Sequence, residues 1–476
     1  MPSKTTNLSR AAAQDRRQFL GTLGGGFGGL ALASLLSAEE GEVSSTQGLH
    51  HPPRARRVIQ LFMNGGASPM DTFDYKPELE KRHGESIDFG LTAAVTSPVG
   101  TIMKSPFKFQ QHGESGRWVS DVFPRVATQV DKMAFLMAIE SQTNVHGPAS
   151  YLANTGFLMP GFPCLGAWIS YGLGRLTDEL PTFVVLPDSR GLPYNNTGNF
   201  SAGFLPAAHA STVIRANAAE PVPFLNPPKE FEFARPDSER AGLALLEKLN
   251  RSHLEKHQQD PVLEARLESF ELAAKMQVSA PQVMDLTQES QSTLDQYGLN
   301  RSETADFGRN CLLARRMVEQ GVRFVQVWSG MGGPASNWDN HTDIHNELPF
   351  IAGSVDQPIA ALLEDLESRG LLEDTLVVWT TEFGRMPFTQ GATGRDHNGG
   401  TYVSWLAGAG VQGGAAHGQS DEFAYQTAVD ATTGYDLNAT ILHLLGIDHE
   451  RLTFRHNGLE RRLTDVHGHV IHEILT

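Results

Sequence analysis

Cysteine is nearly absent: a chain of 476 residues carries two, Cys164 and Cys311. Their unrelated contexts give no disulfide framework and no thiolate metal site, so any metal must be held by Asp, Glu, His or Asn. A single bridge between them is the most the count allows, and each reads more simply as a small buried hydrophobe on a helix. Positive charge is also scarce. Lys and Arg number 38 against 54 Asp and Glu, a net charge of −16. That balance excludes the basic face a nucleic-acid partner requires and is compatible with a divalent cation. Long apolar runs are missing too. The stretch Gly21 to Leu36 is uncharged but short and glycine-rich, which excludes a stable membrane span and reads as the apolar part of a signal segment.

What is present is an ordinary globular composition, 40% hydrophobic and 19% charged. The length admits two or three domains at ~150 residues each, or one large α/β domain with insertions. Before the apolar run stands Asp15-Arg16-Arg17-Gln18-Phe19-Leu20, a twin-arginine pattern of the kind that directs export of folded proteins. Residues 1–50 are therefore expected to be a signal segment and linker, with cleavage near Ala38, and the protein to be periplasmic or extracellular. Residues 51–476 are expected to form one domain, with a loop-rich insertion around 187–236 and flanking helices around 238–320. No internal repeat is apparent.

The chain is organised around Thr375 to Asn398. Leu376-Val377-Val378-Trp379 is a near-continuous apolar run that suits a parallel strand covered on both faces. Glu382, Arg385, Arg395 and His397 follow it, and ligands of open α/β sheets bind beyond the carboxyl ends of strands. Other strands end in comparable clusters. Val58 to Met63 leads into Asn64-Gly65-Gly66, with Asp71 and Asp74 close behind. Paired glycines let the backbone turn sharply there, and these oxygens suit hard cations, although for Asp71 and Asp74 turn caps are the simpler reading. Met133 to Ile139 leads through Ser141 and Thr143 to His146-Gly147-Pro148. Pro148 suits a helical first turn, which places His146 just before a helix N-terminus that favours an anion. Thr182 to Leu186 is a further strand. Val322 to Trp328 precedes Asp339, His341, Asp343 and His345, two carboxylates and two imidazoles within seven residues.

Helices are expected at Asp121–Val130, Cys164–Leu173, Ser238–His257, Pro261–Met276, Ser302–Gln320 and Glu347–Gly370. A last strand follows at Tyr402–Gly408, and a last helix opens at Asp436 as its N-cap.

The order of strand and NGG turn, strand and HGPAS helix, WDNH loop, TTEFGR, GRDHN, then DLNATILHLLG resembles an uncharacterised twin-arginine-exported bacterial family. That family is a domain of unknown function grouped with sulfatases in the alkaline phosphatase superfamily. The resemblance spans about Pro52 to Thr476. It implies an alkaline-phosphatase-like three-layer α/β/α sandwich with a mostly parallel central sheet, and metal ligands on the loops after its strands. By position, Asn64 stands for the first-strand aspartate, Glu382 for the late-strand aspartate, and Asp339, His341 and His397 for the remaining Asp/His ligands. His146 occupies the nucleophile's slot. Phe383 replaces the histidine that phosphatases place beside the aspartate, which argues against a two-zinc site, and neither cysteine lies in a formylglycine context.

The leading expectation is a metal-dependent hydrolase of sulfate or phosphate esters, acting on a small anionic ester or a sulfated or phosphorylated glycan. One divalent ion (zinc, calcium and manganese are not distinguished) would be held by Asp339, His341, Glu382 and His397, with Asn64 and His345 as weaker candidates. His146, or Thr143 or Ser141, would be the nucleophile, or a metal-activated water would attack, with Arg385 or Arg395 binding the anion. The alternatives are a non-catalytic metal- or glycan-binding module of the same fold and, more weakly, a metal-dependent mutase or transferase.

Overall fold

The structure, a computed structural model, describes residues 48–90, 99–218, 221–222, 242, 245, 248–249, 252, 261–333 and 336–476. The twin-arginine segment and most of the Ser238–His257 helix expected above lie outside these residues.

Apolar, β-branched runs build the central sheet in chain order: β1 (Arg57–Met63), β2 (Met133–Glu140), β3 (Phe183–Leu186), β4 (Thr212–Val213), β5 (Phe324–Ser329) and β6 (Thr375–Thr380). A separate hairpin of β7 (Gly384–Gln390) and β8 (Gly394–Asn398) follows, then β9 (Tyr402–Gly408), β10 (Ala416–His417) and β11 (Thr432–Thr433) of the main sheet. The nine sheet strands run β10-β2-β9-β6-β1-β5-β3-β4, with β11 also on β2. Every pairing is parallel except the two made by β9, which lies antiparallel between β2 and β6. The protein is therefore α/β with a mostly parallel central sheet. Its layers follow from strand alternation. Ile59, Leu61 and Met63 enter one apolar cluster with the helices α4 (Ala305–Glu319) and α5 (Ile344–Ser368). Val58 and Phe62 enter a second cluster with α2 (Leu165–Leu173) and α6 (Gly434–Leu444). Both sheet faces are covered, which is why the strands read as continuous hydrophobic runs. Two further helices are α1 (His146–Thr155) and α3 (Pro261–Met284).

The departures from expectation have local causes. Asp121–Val130 is not an α-helix; a 3₁₀ segment spans Val126–Lys132 instead. Pro124 disfavours helical geometry in the residue before it. The Asp356 carboxylate then accepts from the Arg125 and Val126 amides at 3.1 and 2.8 Å, fixing the start. Helix α5 begins three residues before Glu347 and carries Pro349 and Pro358 internally. An interior proline costs about 3 kcal/mol. Against it, Leu348, Ile351, Val355, Ile359, Leu362 and Leu366 are fully buried, at roughly 1.5–3 kcal/mol each. Packing wins. Helix α6 is capped by Thr433, not Asp436, which sits at its third position and accepts from the Thr433 amide at 2.7 Å.

Both cysteines are buried and free, so no bridge joins them. Burial pushes the Cys164 thiol up to about 12 and raises Cys311 as well. Native protein is expected to give no reaction with an aromatic disulfide reagent at pH 8, and two thiols per chain after denaturation. Rapid labelling of the native state would contradict the packing.

Candidate metal centre

The carboxyl ends of β1, β2, β5 and β6 lie along one edge of the sheet, and the turns that leave them converge. The turn after β1 is made by Gly65 and Gly66. Gly65 has φ +123°, and a Cβ there would stand 2.6 Å from the Asp339 amide nitrogen. Only glycine lets this backbone pass so close to the loop that follows β5. That loop is pinned in turn: the Trp338 amide donates to Asn64 O at 3.1 Å, and Trp338 Nε1 donates to Ser329 Oγ at 3.1 Å. The turn after β6 is tied to β1, because Thr381 Oγ1 donates to Met63 O at 2.7 Å and the Gly65 amide donates to Glu382 Oε1 at 2.8 Å.

Into this frame come four side chains from three places. His146 is the first residue of α1, Asp339 and His341 lie on the β5–α5 loop, and His397 lies on β8. One ligand atom from each lies within 4.8 Å of the other three. Asp339 Oδ1 is 2.8 Å from His341 Nε2 and 3.1 Å from His397 Nε2, and Asp339 Oδ2 is 3.2 Å from His146 Nε2. The two imidazole nitrogens of His341 and His397 face each other at 2.7 Å. His146 Nε2 is buried and makes no well-directed hydrogen bond.

The far sides of these ligands are held. His146 Nδ1 pairs with Glu382 Oε1 at 2.8 Å, and His341 Nδ1 pairs with Gln390 Oε1. A proton on each Nδ1 leaves Nε2 with its lone pair directed inward, the arrangement in which carboxylates and amides orient metal-binding imidazoles. Asp339 Oδ1 is also met by Arg385 Nη2 at 2.6 Å.

Electrostatics sort the groups. Burial opposes ionisation of Asp339, but Arg385 first, and then the close imidazoles of His146, His341 and His397, outweigh it and hold the carboxyl far below the usual range. Burial pushes His397 down to about 4, with Arg385 and His146 adding to the shift against the pull of Asp339. His397 is therefore neutral at pH 7. His146 is also disfavoured by burial, yet Asp339 and Glu382 together raise it above the ordinary value. Three imidazoles and a carboxylate, with the buried His146 Nε2 directed among them, fit a divalent transition ion.

Aromatic rings wall the centre. Tyr194 stacks on the His146 ring with centroids 4.3 Å apart and planes at 6°, and its hydroxyl lies 3.4 Å from Asp339 Oδ2. Burial first, then Asp339 and Glu382, push that hydroxyl up to about 12. Phe383 packs against both His146 and His397, at 4.8 and 4.9 Å between centroids.

Comparison with known proteins gives one decisive match: residues 55–475 fit the family described as "Protein of unknown function (DUF1501)". The chain belongs to the DUF1501 family. No curated protein matches it. Among solved structures it is similar to the lipoteichoic acid synthase LtaP of Listeria monocytogenes, with TM-score 0.37, 9% identity and coverage of 85% of this chain and 77% of that one. It is also similar to the PsFucS1 sulfatase of Pseudoalteromonas sp., with TM-score 0.34, 10% identity and coverage of 86% and 70%. A third is a mutant alkaline phosphatase of the Antarctic bacterium TAB5 with magnesium in its M3 site, at TM-score 0.37, 11% identity and coverage of 83% and 98%. Likeness at this level says nothing about chemistry.

In the DUF1501 chain the residues singled out from sequence fall into three groups. Asp339, His341 and His397 come together, and His146 joins them as a fourth ligand candidate and not as a poised nucleophile, since Glu382 and Asp339 face its two nitrogens. Glu382 is one step removed, behind His146. Asn64 hydrogen-bonds the Gly330 and Met331 carbonyls through Nδ2, and its Oδ1 is buried without a hydrogen-bond partner. His345 lies apart, stacked on Phe107. Thr143 accepts from the Val145 amide and lines a separate cleft of about 410 Å³ with Ser141 and Asn398.

Both arginines are corrected. Arg385 is fully buried and donates to Gly66 O, Arg395 O, Gly65 O, Trp338 O and Asp339. Arg395, also fully buried, grips Asp71 and the carbonyls of Met386 and Met103. Neither presents a free fork to an anion. Asp71 is thus an ion-pair partner, and Asp74 pairs with Lys76 at 3.0 Å. Tyr194 and Gln390 escaped the sequence reading, because one sits in an aperiodic stretch and the other at the end of an unforeseen hairpin.

The position of Glu382 makes a distinct prediction. Glu382→Gln is expected to weaken divalent-metal affinity by roughly 10–100-fold, as loss of an orienting partner does, without abolishing binding. Complete loss of metal by elemental analysis would make Glu382 a ligand.

Proposed function

We propose that this DUF1501 protein is an exported, metal-dependent hydrolase of sulfate or phosphate esters, acting on a small anionic ester or an esterified glycan. One observation carries the reading: three imidazoles and a carboxylate from three separate parts of the chain converge beyond the carboxyl edge of a mostly parallel sheet. The resemblance stated from the sequence, through the NGG, HGPAS, WDNH, TTEFGR and GRDHN motifs, supplies the reaction class. The twin-arginine pattern supports export, and no helix among the described residues is long and apolar enough to cross a membrane.

His146, Asp339, His341 and His397 would hold the ion, and their nitrogen-rich set favours zinc, manganese or iron over calcium. When bound, such an ion supplies Lewis acidity and lowers the pKa of a coordinated water. The chain's own groups set the rest. Arg385 neutralises Asp339, so the centre with neutral imidazoles adds no net negative charge of its own beyond Glu382. A bound dication therefore leaves a positive site that attracts an anionic ester, the task once expected of the arginines. Tyr194 and Phe383 exclude water from one side of the imidazoles, which strengthens electrostatics there. Glu382 and Gln390 keep His146 and His341 oriented.

A second reading, a metal- or glycan-binding module without turnover, is favoured by the commitment of His146 and both arginines to internal partners. One experiment separates the two. Protein purified without added metal is analysed for elements and assayed with 4-nitrophenyl sulfate and 4-nitrophenyl phosphate. Metal with chelator-sensitive turnover supports the hydrolase; metal without turnover supports the binding module; no metal under any loading condition sinks the hydrolase and the metal-binding form of the module.

A further inference from the structure

At the amino end of β3, on the end of the sheet opposite the metal centre, lies a hollow of about 300 Å³. Its walls are mostly hydrocarbon. Phe183 from β3 and Met276 from α3 are buried there, and Val222 and Leu272 are half-buried. The volume falls at the lower end of small-ligand sites, which pair apolar walls with a few placed polar groups.

The charge in this hollow has one sign. Arg175, which follows the Gly174 cap of α2, lines it and is half-buried. Among the described residues its guanidinium makes no hydrogen bond and no ion pair, and none of its nitrogens is shut off from solvent. Arg57, Arg315 and Arg395, by contrast, each face a carboxylate within 2.9 Å. No carboxylate among the described residues lines the hollow, in a chain of net charge −16. Beside Arg175, Ser170 Oγ lies 3.0 Å from His209 Nδ1. Burial first, and Arg175 second, hold His209 below the ordinary imidazole value, so it adds no second positive charge at pH 7.

An arginine in open water is screened and attracts little. Against hydrocarbon walls the same charge is screened less, and an anion gains more. The planar fork meets a carboxylate through two parallel N–H donors, and one guanidinium balances one negative charge. A phosphate monoester brings more charge and more acceptors than a single fork can meet. The walls in turn ask for a hydrocarbon body behind the charged end.

We infer that this hollow binds a small organic carboxylate, its charged end on Arg175 and its apolar end among Phe183, Leu272 and Met276. The inference does not rest on the hydrolase reading.

The test is calorimetric titration of the whole protein with hexanoate and benzoate. Acetate lacks the apolar body, and 1-hexanol and benzyl alcohol lack the charge. At least one of the two carboxylates is expected to bind saturably with Kd below about 1 mM, and each control about tenfold more weakly or worse. Arg175→Met is expected to weaken binding about tenfold or more, the equivalent of 1.4 kcal/mol. Ala273 stands at the exposed rim, so Ala273→Trp should block the hollow with circular dichroism unchanged. Unchanged affinity in Arg175→Met overturns the site, as does equal binding of the neutral alcohols or failure of both carboxylates to bind below about 10 mM. Binding lost in His341→Ala but kept in Arg175→Met would put the carboxylate on the metal centre, and overturns it too. Absence of metal or of ester turnover leaves this titration standing, so the two readings fail separately.

Discussion

Replacing His341 by alanine is expected to strip the divalent ion from a protein that still folds. Its side chain is the most exposed of the four ligand candidates, at 26% against 8–10% for the others, so its loss leaves the smallest cavity. Loss of an orienting partner alone lowers metal affinity by 10–100-fold, and removal of a ligand should exceed about 100-fold. Elemental analysis after dialysis would show about one ion per wild-type chain and less than about a tenth of that in His341→Ala, with unchanged circular dichroism. The same ion should stabilise the native state by RT ln(1 + [L]/Kd), about 2.7 kcal/mol at a hundredfold excess over Kd. A chelator should therefore lower the melting midpoint of wild type and leave His341→Ala unmoved. Full metal occupancy in His341→Ala and in His397→Ala would remove the centre as described.

Arg395→Met is expected to cost about 3–5 kcal/mol of folding stability, because it leaves Asp71 as an uncompensated buried charge. Both side chains are fully buried, and the guanidinium meets the carboxylate through Nε at 2.6 Å and Nη2 at 3.2 Å. Lysine cannot reproduce that two-point fork, so Arg395→Lys should recover little. The double variant Asp71→Leu with Arg395→Met should be more stable than Arg395→Met alone, since both charges then leave the interior together. Denaturant unfolding curves read all three. An Arg395→Met protein within about 1 kcal/mol of wild type would mean that the pair is solvated, and the anion-binding role first expected of Arg395 would return. The pair holds the β7–β8 hairpin to the turn after β1, so the same variant should also loosen His397.

The strands were legible because burial on both faces leaves no polar alternation to misread; Tyr402–Gly408 matched residue for residue. Helix ends were less legible. Thr433 and Asp436 form one cap, and composition alone does not say which of two oxygen-bearing residues comes first in the turn. The β7–β8 hairpin was hidden because its inward positions, Arg385, Arg395 and His397, are polar. Charged residues buried against carbonyls and a distant aspartate look, in a string of letters, like a solvated loop. The same mimicry misled the assignment of both arginines.

Sequence alone determined the sheet's apolar strands, the exclusion of cysteine ligation, and the short list of imidazoles and carboxylates from which a centre is drawn. Tertiary structure decided which of them meet. His146 and His341 are separated by nearly two hundred residues of chain, and no local rule relates their ring nitrogens. Their convergence is set by parallel strand register and by the glycine turn that lets one loop lie against another. Whether a carboxylate touches the ion or only steadies a histidine is a matter of a few ångströms, and that distance belongs to packing.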